Sequence, residues 1–172
     1  MTTETVDKLI LLMPEQEADY FAQRLSHVRP ELQTSIAPDK ATLEALFAKA
    51  PTSVSLFGFL TDVIVPETML SQLDQALNIH PGPPWMPGYR PTKTLLKTGQ
   101  RAYGVTLHAM ARDVDTGPII AVRRFQVPQR ATLELIETMA YQHSLQLALD
   151  NLDLIAGHKK PIFHPTERWG KQ

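Results

Sequence analysis

The chain has 172 residues, a formal net charge of −1, a hydrophobic fraction of 43% and no cysteine. That length suits one domain with a sizeable core. The near-zero charge gives no overall field to draw a nucleic acid polymer or an anionic membrane, and the lack of cysteine excludes disulfides, thiolate metal sites and a cysteine nucleophile.

Met1 to Lys8 is polar and lacks the apolar stretch of a signal peptide. No apolar run approaches the length of a membrane span, so a cytoplasmic protein is the expectation. Lys8 to Met13 is a short apolar run that reads as a buried strand, ended by Pro14. Glu15 to Val28 carries Ala18, Phe21, Ala22 and Leu25 at helical spacing, with Pro30 as a stop. Leu32 to Ala37 reads as a second strand. Asp39 suits the N-cap of a helix over Lys40 to Ala50, with Leu43, Leu46 and Phe47 on one face. Ser53 to Leu60 reads as a third strand, Pro66 to Leu73 as a short helix, and Ala76 to Ile79 as a fourth strand with His80 just past its end.

This alternation predicts an α/β fold: an open, mostly parallel Rossmann-like sheet with helices on both faces. Such sheets place ligands beyond the carboxyl ends of their strands, which is where Asn78 and His80 stand. Arg101 to Met110 and Pro118 to Val127 are further strands joined by the polar turn Arg112-Asp113-Val114-Asp115. Ala131 to Ala156 reads as one long amphipathic helix, ended by Gly157. Its leucine-rich faces suit either core or a homodimer interface. Residues 1–157 are read as a single domain and 158–172 as a basic tail that docks on it.

The loop Pro81-Gly82-Pro83-Pro84-Trp85-Met86-Pro87-Gly88-Tyr89-Arg90-Pro91 is dense in prolines that fix φ and glycines that free it. A stiff, exposed loop beside a polar pair is suited to shaping a pocket; it equally suits a connection that covers a sheet edge. Trp85 and Tyr89 offer surfaces for stacking, and Arg90 either a bidentate anion contact or a structural clasp.

Three segments carry chemistry: Asn78-Ile79-His80-Pro81, Gly104-Val105-Thr106-Leu107-His108 and Asp115-Thr116-Gly117-Pro118-Ile119-Ile120. An amide can donate to a developing oxyanion, an imidazole can exchange a proton, and a carboxylate can hold that imidazole charged and oriented. Taken singly, each residue reads as a turn or strand-end residue. Together they read as a kit for moving an acyl group. Thr106 and His108 stand on the strand leading into the turn and serve as supports of the site or as hydrogen-bonded core. His143 reads as packing on the long helix; His27, His158 and His164 read as surface residues. No His-Glu-x-x-His pattern or other metal-ligand spacing is present, so no metal is expected.

In order and spacing, these segments resemble the formyltransferase family that uses N10-formyltetrahydrofolate, which includes the glycinamide ribonucleotide, methionyl-tRNA and sugar-nucleotide enzymes. The resemblance runs from about Leu56 to about Leu152, and the Pro-Gly loop is most similar to the sugar N-formyltransferase branch. It implies a catalytic trio of Asn78, His80 and Asp115. It also implies a pterin pocket built from Gly58, Phe59, Leu60, Val63 and Ile64 after the third strand and from Arg112 and Val114 before the catalytic carboxylate. N10-formyltetrahydrofolate would be the co-substrate, with Trp85, Tyr89 and Arg90 towards the acceptor.

Two departures bear on the acceptor. The turn after the first strand is Met13-Pro14-Glu15-Gln16, without the glycines that the family uses for substrate phosphate, and the chain lacks the added carboxyl-terminal domain of the tRNA enzyme. The expectation is transfer of a formyl group to a small-molecule amine, an amino sugar on a nucleotide among the options. The alternatives are a formyltetrahydrofolate hydrolase, with water in place of the amine, and an idle paralogue that binds folate or a protein.

Overall fold

The computed structural model describes residues 8–50 and 53–171. The reading of the polar amino-terminal residues therefore falls, apart from Lys8, outside the described range. The described chain divides into two compact units, one comprising residues up to Asn78 with Asn151–Pro161, the other Ile79–Asp150 with Ile162 onward.

The first unit is built on β1 (Lys8–Leu12), β2 (Gln33–Ala37) and β3 (Val54–Phe59). β1 pairs in parallel with both neighbours, Ile10 standing between Ser35 and Leu56. Residues of β1 and β3 are apolar almost throughout and buried, as expected of parallel strands covered on both faces. α1 (Glu15–Val28) turns Ala18, Phe21 and Leu25 inward, and the Phe21 ring meets Phe57 and Phe59 edge-on at 5.5 and 5.3 Å. α2 (Lys40–Ala48) starts where the sequence places it, Asp39 accepting the Thr42 backbone N–H at 2.7 Å. α3 (Glu67–Leu70) is a single turn. β4 (Gln75–His80) belongs to both units: its first four residues extend the order β2-β1-β3-β4, and its last two lie in the second unit, where β5 (Ala102–Ala109) and β6 (Ile119–Gln126) give the order β4-β5-β6.

The predicted single helix over 131–156 is two helices: α5 (Leu133–Leu149) in the second unit and α6 (Leu152–Ile155) in the first. The break falls at Asp150-Asn151, where Asn151 leaves helical geometry at φ −119 and ψ 21; both side chains compete with helix backbone for hydrogen bonds. Gly157 then ends α6 at φ 81, as the sequence suggests. Arg29, 2% exposed at the end of α1, donates to the Ala156 carbonyl at 3.0 Å and fastens α6 to it.

In the second unit β5 (Ala102–Ala109) and β6 (Ile119–Gln126) pair antiparallel, so the strand set is mixed. Tyr103 stands opposite Phe125, whose ring stacks on His143 of α5 at 3.9 Å. Strand alternation assigns Tyr103, Val105 and Leu107 to that face of β5 and Thr106 and His108 to the other. A bulge between Leu107 and His108 carries the register past Ile120 and sets His108 opposite Ile119. α4 (Pro91–Thr98) was not foreseen, although Pro91 at its first turn and Gly99 at φ 66 just past its end are helix punctuation.

Gly117 ends the β5–β6 turn with its α-carbon pressed on β5: a Cβ there would lie 1.8 Å from the Ala109 carbonyl oxygen. Gly117→Ala is expected to cost about 3 kcal/mol. It should lower the thermal midpoint by roughly 6–12 °C in a calorimetric scan; an unchanged midpoint would mean the turn relaxes freely.

Candidate active site

Asp115 is at the centre of the polar cluster in the second unit. Its backbone takes the left-handed conformation at φ 51, which Asp tolerates better than most side chains. This turns a carboxylate only 5% exposed back into the protein. One oxygen, Oδ2, lies 3.0 Å from His80 Nδ1 and accepts the Gly88 backbone N–H at 2.8 Å. The other, Oδ1, lies 3.5 Å from His108 Nε2. Two imidazoles, each 3% exposed, thus bracket one buried carboxylate.

The second nitrogen of each imidazole also faces an acceptor. His80 Nε2 is 2.9 Å from the Met86 carbonyl oxygen, and His108 Nδ1 is 2.9 Å from that of Ala109. A carbonyl only accepts, so both nitrogens donate. His80, with a carboxylate on Nδ1 and a carbonyl on Nε2, satisfies both contacts only when protonated on both. His108 faces the same carboxylate at the looser distance of 3.5 Å.

Burial alone would push the Asp115 carboxyl up. Hydrogen bonds from His108 and His80, the charge on His80 and the Gly88 N–H outweigh it and hold the carboxyl well below the usual carboxylate range. Of the two rings, His80 makes the shorter contact.

The surrounding segments hold this arrangement. Thr106 Oγ1 donates to the Gly82 carbonyl at 2.8 Å, and the buried Tyr103 hydroxyl donates to that of Pro81 at 2.9 Å, so β5 anchors the start of the Pro-Gly loop. Burial raises the Tyr103 phenol, with the Glu137 charge adding to it. Trp169, which the sequence reading did not single out, packs edge-on against both imidazoles, at 5.6 Å from His80 and 5.0 Å from His108. The only sequence signal for it was a tryptophan in a basic, proline-containing tail.

Asn78 and His80 are two residues apart on β4, and His80 is its last residue rather than the first beyond it. Strand alternation gives the two side chains one face. In the first unit, Gly58 and Phe59 close β3, buried, and Leu60 follows at φ 53, an unusual conformation for a bulky residue. Val63 and Ile64 lie in the irregular segment before Pro66. Arg112 and Val114 are exposed in the β5–β6 turn. Trp85 is 40% and Tyr89 80% exposed; the Arg90 guanidinium lies over the Tyr89 ring at 4.9 Å and that of Arg124 over Trp85 at 5.7 Å. Arg90 also enters α4 at φ 55. His143 packs on Phe125 and accepts from Arg123 Nε at 3.1 Å; burial first, then the Arg123 charge, depress its proton affinity. No cluster of three or more potential ligands placed to hold a metal occurs among the described residues.

The depressed carboxyl sets a pH dependence. Its folded value lies below its unfolded value, so its contribution to stability is complete above the ordinary carboxyl range, near pH 4. It is lost as pH falls from there through the folded value. Asp115→Asn removes that dependence: the stability gap between wild type and variant should shrink as pH falls below about 4 in urea titrations. A gap constant across that range would contradict the assignment.

A family model described as formyl transferase matches residues 12–149. Among curated relatives, the phosphoribosylglycinamide formyltransferase of Bacillus subtilis (strain 168) is 29% identical over 61% of this chain and 54% of its own length. The methionyl-tRNA formyltransferase of Thermotoga sp. (strain RQ2) is 28% identical over 74% of this chain and 41% of its own. The chain thus spans about half the length of the curated relatives it matches. Among solved structures, the formyltransferase PseJ from Anoxybacillus kamchatkensis, in complex with UDP-4,6-dideoxy-4-formamido-L-AltNAc and tetrahydrofolate, superposes with a TM-score of 0.69 at 24% identity. The match covers 95% of this chain and 85% of that one, a likeness of fold. With the family model covering most of its length, the chain belongs to the formyl transferase family.

Proposed function

We propose that this chain carries the catalytic centre of an N-formyltransferase that moves a formyl group from N10-formyltetrahydrofolate to a small-molecule amine, with an amino sugar on a nucleotide as the acceptor class. The observation that supports it most is the ion pair of His80 and Asp115 at 3.0 Å, buried at the end of β4.

The folate supplies the formyl carbon. In the proposed reaction the amine nitrogen bonds to that carbon, the bond from carbon to N10 breaks, and the amine's surplus proton ends on N10. Negative charge gathers on the formyl oxygen on the way. The Asn78 amide and the His80 Nε2–H are the assigned donors to it, and removing such a donor typically costs about 10²–10³ in rate. His80 Nε2 now donates to Met86, so it exchanges this carbonyl for the formyl oxygen during turnover. Asp115 keeps the ring charged and aimed from Nδ1, and is placed to order a water that relays the proton.

The residues after β3 suit the donor. From Leu60 to Val65 the backbone is in neither helix nor strand; the Val63 N–H donates to Thr61 Oγ1 at 3.1 Å, and backbone groups outside a ladder suit the polar edge of a pterin. On the acceptor side, Trp85 and Tyr89 offer exposed aromatic surface beside two guanidinium groups, chemistry suited to a base and a diphosphate. The nucleotide-linked sugar in the PseJ complex favours the same class.

The test is tetrahydrofolate release, followed by absorbance, with a panel of amines that includes nucleotide-linked amino sugars and water alone. Release that requires an amino sugar supports the proposal; equal release in water alone marks a hydrolase, and none under any condition marks a binding protein. Asp115→Asn should lower kcat by about 10²–10⁴ with little change in KM for the donor. Asn78→Ala and His80→Ala should each lower kcat by about 10²–10³, and the double variant by little more than the worse single one. Losses that multiply would separate the two residues into different steps.

A further inference from the structure

The segment after α6 has no helix or strand, yet between Ile162 and Lys171 it is fastened to the second unit at four points. The His164 N–H donates to the Ile119 carbonyl at 2.7 Å and the Gly170 N–H to that of Pro84 at 2.8 Å. Glu167 pairs with Arg124. The Trp169 indole N–H donates to the Gly117 carbonyl at 2.7 Å. At Gly170 the strap lies flat on the Pro-Gly loop: a Cβ there would sit 3.1 Å from both the α-carbon and the carbonyl oxygen of Trp85.

These fastenings place one half-buried ring where three parts of the cluster meet. Trp169 bonds through its N–H to the turn that carries Asp115, two residues beyond the carboxylate itself. Its ring stands nearly perpendicular to both imidazoles, at 72° to His80 and 85° to His108. Perpendicular aromatic contacts of this kind are attractive and directional. The two rings also have little freedom elsewhere, because each is bonded through its remaining nitrogen to a backbone carbonyl. The indole therefore closes the side of the array that the carbonyls leave unsupported.

We propose that Trp169 is a positioning residue for the His80–Asp115–His108 array: it fixes both imidazoles in register with the carboxylate and keeps water from the His80–Asp115 bond. Its kinetic consequence rests on the formyl-transfer reading; its structural consequence does not. The strap links this array to the Pro-Gly loop through Gly170 and Pro84, so lifting the strap disturbs the array without altering any ring.

The test compares Trp169→Phe, Trp169→Ala and Gly170→Ala with wild type. Circular dichroism checks the fold. The exchange of His80 imidazole N–H protons with water is read in 15N-labelled protein. Trp169→Ala should speed that exchange and lower kcat on the order of 10²-fold at unchanged KM for formyltetrahydrofolate, the scale expected for a misaligned catalytic group. Trp169→Phe, which keeps a ring but not the N–H, should fall between it and wild type. Gly170→Ala should follow Trp169→Ala in direction although the indole is intact. Folded variants with wild-type proton exchange would overturn the proposal, whatever the turnover. Faster exchange in a protein whose wild type transfers no formyl group would uphold the positioning role and overturn the function instead.

Discussion

A buried carboxylate is stable only when hydrogen-bond donors meet it, and Asp115 governs the second unit for that reason. Its left-handed backbone, the Gly88 N–H and the two imidazoles exist around one charge. The arrangement leaves the ionised form in place despite burial. It also makes the array conditional: removing the carboxylate strands two imidazoles whose other nitrogens are already tied to carbonyls.

The fold serves this arrangement by spacing. β5 is buried on both faces, and alternation sends Tyr103 towards the Phe125 and His143 stack while sending Thr106 and His108 towards the loop and Asp115. The bulge at Leu107/His108 adjusts where that second set ends. Gly117 lets the turn fold back tightly enough for Asp115 to reach the rings. Chemistry in this protein is therefore set by strand register and by tight backbone contact rather than by a flexible loop.

Much of this was legible in the chain. The apolar runs at Lys8–Leu12 and Val54–Phe59 announce buried strands, and Asp39 announces its helix by a side chain that can cap and little else. The segments containing His80, His108 and Asp115 could be recognised together because their order and spacing resemble the motifs of one family. What was missed depends on competition between local and tertiary terms. The punctuation around Pro91 and Gly99 is masked by the prolines before it, so residues 92–100 carry no assignment in the sequence reading. The break at Asp150-Asn151 costs little locally, and helical periodicity runs through it. Trp169 has no periodicity at all: its place follows from backbone bonds to Ile119 and Pro84 made by the tail around it, which no local pattern encodes. The carbonyl of Met86 on His80 Nε2 was invisible for the same reason.

The array depends on the bond from His80 Nδ1 to the Asp115 carboxylate at 3.0 Å. The direct measurement is the exchange of the His80 Nδ1–H proton with water, read in 15N-labelled wild type and Asp115→Ala under the same buffer. Slow exchange in the folded wild type and fast exchange in the folded variant are expected. Equal exchange in both proteins would contradict the role given to Asp115.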